Sequence, residues 1–262
     1  TQAPSLHSLN TAPAGVSMAH LQAALLGLLL SLVPASAVMS YTVQVQGLAS
    51  PIHYLEEGRS TDPLVLFLHG AAFSAQTWQD LGTLDFLARR GLRVIAIDLP
   101  GYGPRKLSGQ EKLHTGRKEN FVAHFLSAIG FDHNVKLAIV EASMGGSFGN
   151  PFIAAHPAQV AGFVTVSAAG LDEYAGMAMA SGASEVPCLL YWGEHDSPDS
   201  EKASLYERVF KNQYKIVVPN GSHPCYLDDP EMFHNTLEAF LIGHTATALP
   251  IKARWTGPYF DL

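Results

Sequence analysis

The chain has 262 residues, of which 47% are hydrophobic and 15% charged, with a formal net charge of −7. That length carries one substantial core, and the apolar content suits a globular enzyme. The acidic balance and the lack of a basic stripe argue against nucleic-acid binding, and no residue cluster suggests a metal site.

In chain order, Met18-Ala19-His20 precedes an apolar run over 21–33, followed by the small-residue stretch Pro34-Ala35-Ser36-Ala37. This pattern predicts a leader over 1–38 holding a signal-peptide or signal-anchor segment at 18–37, then one domain over 39–243 and a C-terminal tail over 244–262. Used as such, the segment makes the protein membrane-anchored or secretory. A protein starting at Met39 is expected in the cytoplasm or nucleus. Segments 41–45 and 52–55 predict an antiparallel hairpin. A continuous apolar strand, 64–68, runs into His69-Gly70-Ala71-Ala72, and a helix is expected over 77–90. Strand 93–98 leads to Asp98-Leu99-Pro100-Gly101-Tyr102-Gly103 and then to a loop carrying Arg105, Lys106, Lys112, Arg117 and Lys118. Helix 121–129, strand 137–142, a helix starting near Phe148, and strand 161–167 follow. Strand 187–192, helix 205–210, strand 214–218 and helix 231–241 complete the pattern. Apolar strands separated by helices predict a mostly parallel sheet covered on both faces, with its site at the carboxyl ends of the strands. Cys188 and Cys225 fall at opposite ends of that sheet, too far apart for a disulfide.

Four loops at those strand ends carry chemistry. In Glu141-Ala142-Ser143-Met144-Gly145-Gly146, an apolar strand breaks into small residues and resumes as a helix, which is the local form of a nucleophile elbow. Its first glycine is replaced by Glu141, a possible modulator of reactivity. Read blandly, Ser143 is only a helix N-cap. Asp196 ends the strand over 187–192 and is the candidate acid, with Glu194 and Asp199 weaker alternatives; as a turn aspartate it would bond only local backbone. His223, in Pro219-Asn220-Gly221-Ser222-His223-Pro224, is the histidine whose loop completes a triad. The order serine, acid, histidine is that of the α/β-hydrolases. His114, His133, His156 and His234 lack such a context and are expected at the surface. Backbone N–H groups of Ala71 and Met144 are the candidate oxyanion donors, while His69 braces its loop. The short interval between Ser143 and Asp196 leaves room only for a minimal lid.

Taken with Thr42-Val43-Gln44-Val45-Gln46-Gly47, Thr77-Trp78-Gln79-Asp80-Leu81-Gly82-Thr83-Leu84, Ala96-Ile97-Asp98-Leu99-Pro100-Gly101 and His223-Pro224-Cys225-Tyr226-Leu227-Asp228, these pieces resemble the α/β-hydrolase-domain-containing protein 14 subfamily over about 41–243. The opening strand and the His-Pro-Cys-Tyr-Leu segment look closer to its soluble member than to its membrane-anchored one. The resemblance implies an α/β-hydrolase fold with Ser143, Asp196 and His223 as triad. It implies a serine hydrolase or acyltransferase acting on small acyl groups, with esterase activity. It implies no required cofactor, although coenzyme A is a candidate acyl acceptor, with an acetylated peptide as a candidate substrate. That subfamily carries serine where this chain has Glu141. A glutamate charge beside the nucleophile motivates the alternative reading, a non-catalytic interaction module that keeps the fold.

Overall fold

Alternation of β-branched and leucine-rich strands with short helices gives one sheet. A computed structural model describes residues 37–102 and 118–245. The strands are β1 (Met39–Val43), β2 (Ile52–Glu57), β3 (Leu64–Leu68), β4 (Arg93–Ile97), β5 (Leu137–Ala142), β6 (Val160–Val166), β7 (Cys188–Gly193) and β8 (Gln213–Val218). Among the described residues they form an eight-stranded sheet in the order β1-β2-β4-β3-β5-β6-β7-β8. The β1–β2 hairpin is antiparallel and adds antiparallel to β4, whereas every later pairing is parallel. Buried parallel strands need cover on both faces, and two apolar clusters supply it. Leu66, Leu68, Ile139, Phe148, Phe163 and Tyr206 belong to one cluster. Phe67, Val140, Trp78, Tyr191, Phe233 and Phe240 belong to the other.

The helices are α1 (Ala75–Asp80), α2 (Thr83–Ala88), α3 (Phe121–Ala128), α4 (Gly146–Ala155), α5 (Ala175–Ser181), α6 (Glu201–Val209), α7 (Cys225–Asp228) and α8 (Pro230–Thr245). The single helix expected over 77–90 is two. Gly82 adopts a left-handed φ of 80°, so the chain turns there before α2 begins. Alanine-rich α5, which carries no apolar period to announce it, fills the β6–β7 connection with a short 3-10 turn at Ala183–Glu185. Trp78 is fully buried on α1 against the rings of Phe67, Tyr226 and Phe233, and so joins α1 to α7 and α8. Removing a buried ring of this size costs about 3–5 kcal/mol. His234 is half-buried instead of solvent-facing: it bonds Thr83 Oγ1 at 3.0 Å and stacks on Phe86, because α8 packs across α2.

Most of the 18–37 segment, the loop with Arg105, Lys106, Lys112 and Arg117, and nearly all of the 244–262 tail lie outside the described residues. Among the described residues, no helix is long and apolar enough to cross a membrane. Both cysteines are free and buried.

Candidate active site

Strand β5 ends at Ala142, and the chain turns at once through a 3-10 turn, Ser143–Gly145, into α4. Ser143 sits at φ 49°, a backbone region that a serine occupies only when its surroundings hold it there. A Cβ on Gly145 would meet the Leu68 carbonyl oxygen at 2.5 Å, so glycine is what lets the elbow lie against β3. The result is a serine raised on a sharp turn above the sheet.

His223 follows β8 and Asp196 follows β7, and adjacent parallel strands bring their loops together. His223 Nε2 lies 2.8 Å from Ser143 Oγ, and His223 Nδ1 lies 2.8 Å from Asp196 Oδ2. The two loops are laced by His195 N–H donating to the Gly221 carbonyl at 2.8 Å and by Asn220 N–H donating to Glu194 Oε2 at 2.7 Å. Glu194 is thereby committed to the backbone, and Asp199 pairs with Lys215 at 3.0 Å. Asp196 is the acid at the histidine.

A residue to which the sequence reading gave no role holds the histidine loop. Asp228 accepts from both Ser222 N–H and Ser222 Oγ at 2.6 Å, and these hydrogen bonds hold its carboxyl below the usual carboxylate range. Its position in His223-Pro224-Cys225-Tyr226-Leu227-Asp228 was the available signal: a loop that closes as one short helical turn returns its last side chain to its start.

On the opposite side, His69 is buried and neutral. Its Nε2 accepts from Leu99 N–H at 2.9 Å, so Nδ1 carries the hydrogen and donates to the Gly70 carbonyl at 2.7 Å; burial lowers its affinity for a second proton. This ties the loop after β3 to the turn after β4. Gly70 and Phe73 close a tight turn, Phe73 N–H to Gly70 O at 3.0 Å, that sets Ala71 beside the serine. A cavity of about 170 Å³ is bounded by Gly70, Ala71, Ala72 and Phe73, by Ala142 and Ser143, by Val166, and by His223, Pro224 and Tyr226. Its walls are mainly apolar. Ala71 lines it, and Met144 follows the serine in the elbow turn with its side chain packed on the core.

Glu141 does not face this cavity. It is fully buried, with Oε1 accepting from the Tyr206 hydroxyl at 3.3 Å, and burial pushes its pKa up to about 8. Lys118, the one described member of the basic loop, sets its ammonium 5.3 Å from the Phe148 ring centroid. Among the described residues, no group of three or more His, Cys, Asp or Glu is placed to hold a metal ion.

Residues 65–187 match the model of an alpha/beta hydrolase family. The chain is 35% identical over 177 residues to ABHD14A of Rattus norvegicus, covering 68% of this chain and 71% of that protein. It is 34% identical over 204 residues to the Homo sapiens protein named "Putative protein-lysine deacylase ABHD14B", covering 77% and 94%. The chain belongs to the ABHD14 subfamily of the α/β-hydrolases. Its enzyme class is therefore that of the serine hydrolases. Among solved structures, a CIB-like hydrolase of Thermoplasma acidophilum superposes with a TM-score of 0.68 at 22% identity over 78% of this chain and 98% of that one. Naproxen esterase of Bacillus subtilis gives 0.63 at 16% identity over 87% and 100%. At such identities the likeness concerns the fold.

Proposed function

We propose that this chain cleaves small acyl groups from ester or acyl-lysine substrates through Ser143, His223 and Asp196. The observation that carries the proposal is the continuous pair of 2.8 Å hydrogen bonds ending on a serine at φ 49°. Ser143 Oγ attacks the acyl carbonyl carbon while His223 Nε2 takes the hydroxyl proton. Asp196 fixes the imidazole with Nδ1–H toward its carboxylate and stabilises the imidazolium. N–H groups of Ala71 and Met144 receive the oxyanion. As the tetrahedral intermediate collapses, the bond to the leaving alcohol or amine breaks and His223 returns the proton to that group, leaving an acyl-serine. Water then attacks the acyl-serine carbonyl, giving a proton to His223; the acyl–Oγ bond breaks, the carboxylic acid leaves, and His223 returns the proton to Ser143 Oγ.

A cavity of about 170 Å³ beside the serine supports small acyl groups, and the apolar walls of Phe73, Val166 and Tyr226 favour a hydrocarbon tail over a charged one. The name of the human relative supports an acyl-lysine as the donor. Coenzyme A in place of water as the final acceptor is the finer proposal. Its thiol would replace the attacking water in the second half of the cycle, with His223 again taking the proton.

The competing idea of a non-catalytic module rested on a glutamate charge beside the nucleophile. Buried with a pKa near 8, Glu141 is mostly neutral at pH 7 and lies away from the cavity. The deciding experiment is intact-mass analysis of the full chain after a fluorophosphonate, beside Ser143→Ala and His223→Ala. A single adduct on the wild type alone is expected. A folded wild type that stays unlabelled sinks the mechanism.

A further inference from the structure

Beneath the elbow lies a second polar group of residues that the acyl chemistry does not use. Side chains alternate along β5, so Glu141 shares a face with Ile139 and points under α4 rather than at the cavity. Its neighbours across the sheet are Leu68 on β3 and Thr165 on β6. The Tyr206 hydroxyl, from α6, donates to Glu141 Oε1 and accepts from Asn150 Nδ2 of α4 at 2.7 Å. Asn150, Glu141 and Tyr206 are each at most 1% exposed. The acid's other oxygen, Oε2, has no hydrogen-bond partner.

Room for this carboxyl comes from one place. A Cβ on Gly149, one turn into α4, would overlap Glu141 Oε2. Nucleophile elbows ordinarily put the small residue two positions before the serine, so that the following helix can approach the strand. In this chain the glutamate takes that position and the glycine sits on the helix instead, so the two residues are sterically complementary.

The groups facing the carboxyl decide its charge. Tyr206 on α6 and Cys188 on β7 are the titratable ones, both buried and both pushed toward their neutral forms by that burial. Asn150, Gly149, Leu68 and Thr165 carry no charge, and among the described residues no cation acts on this carboxyl. A carboxylate sealed among neutral groups, with one oxygen unbonded, is strongly disfavoured, whereas the protonated acid is tolerated.

We infer that Glu141 is a positioning residue that acts in its neutral form, a hydrogen-bonded strut joining the nucleophile elbow to α6, the helix that follows the Asp196 loop. The inference builds on the serine mechanism above. Loss of the proton would place a charge between β5 and α4, pushing apart the elements that hold Ser143 at its strained φ.

The test compares the wild type with Glu141→Gln, Glu141→Ala and Gly149→Ala in the full chain. Glutamine is an uncharged isostere that still accepts from Tyr206, so it should restore what alanine loses: ester-hydrolysis kcat within about twofold of wild type at pH 7, against a drop of at least about fivefold for Glu141→Ala and for the overpacked Gly149→Ala. With a pKa near 8, the ratio of Glu141→Gln to wild-type kcat should rise about tenfold between pH 7 and pH 9. A ratio flat with pH, or a glutamine variant as impaired as alanine, overturns the inference. Melting temperature supplies a readout free of catalysis. The folded state raises this pKa from 4.5 to about 8, so Glu141 contributes stability at low pH that is lost as pH rises through that window. The Tm of Glu141→Gln should therefore gain on wild type from pH 5 to pH 8, and a constant difference overturns the neutral strut. If Ser143 fails to label while that gain appears, the catalytic reading falls and the buried neutral acid stands.

Discussion

Among the described residues, two Ser-His-Asp arrays have nearly equal spacing. In one, Ser143, His223 and Asp196 are joined by contacts of 2.8 Å and 2.8 Å. In the other, Ser40 Oγ lies 2.9 Å from His53 Nε2, and His53 Nδ1 lies 2.8 Å from Asp98 Oδ2. Side-chain distances do not separate them. Their backbones do. Ser40 is in a regular antiparallel strand, paired through Leu55, and has no left-handed turn beside it. Ser143 sits on the strained elbow beside an apolar cavity that the loop after β3 also lines. Asp98 also spends its second oxygen on the N–H of Ala75 at 2.8 Å, capping the first turn of α1. The comparison puts the difference between the two arrays in the strained turn and the apolar cavity, since hydrogen-bonded side chains alone do not distinguish them.

The largest expected effect separates the two serines. Ser143→Ala should lower ester hydrolysis by about 10⁴-fold or more, while Ser40→Ala should stay within about twofold of wild type. Steady-state kinetics on a small acyl ester would read both, and a large loss in Ser40→Ala would make the edge array a working site. Next come the two acids. Asp196→Asn keeps the shape but lets the imidazole take the wrong tautomer, and kcat should fall by about 10³–10⁴ with Tm nearly unchanged. Asp98→Ala should do the reverse. It leaves the buried Ala75 N–H without its acceptor and removes one of the partners of His53, for a loss of about 1–3 kcal/mol in chemical denaturation and a much smaller change in kcat. Equal behaviour of the two variants would erase the distinction drawn here.

Sequence made one array legible and hid the other for a physical reason. Ser143, Asp196 and His223 each end or follow an apolar strand, so the fold rule that sites form at carboxyl ends of parallel strands puts them together before any coordinate is known. His69 was readable as a brace for the same reason. Asp98 carried no role in the sequence, because its partners, Ala75 and His53, belong to a helix start and an antiparallel strand whose register no motif fixes. Glu141 stood out as a broken motif, yet its meaning depends on Tyr206, Asn150 and Gly149. A helix expected at 205–210 does not say which face meets the sheet, and the alternation along β5 says only which side Glu141 takes. The split of 77–90 at Gly82 belongs to the same class, since a glycine inside an amphipathic run is compatible with a continuous helix until packing selects the left-handed turn.

The smallest expected effect concerns the support under His223. Asp228 touches no reacting atom; it holds Ser222, one residue before the histidine, through two hydrogen bonds. Asp228→Ala should lower kcat by about three- to tenfold through a looser imidazole while leaving KM nearly unchanged, a positioning effect well below that of Asp196→Asn. The pH dependence gives the sign. Hydrogen bonds from Ser222 lower the Asp228 pKa below 3.8, so its contribution to stability is present above that value and fades as pH falls through the lowered folded pKa. A Tm difference between wild type and Asp228→Ala should thus persist from neutral pH down to about pH 4 and shrink on further acidification. A difference that grows in acid would mean that Asp228 is held through some other contact, and that the firmness of the catalytic array over the edge array comes from the strand ends alone.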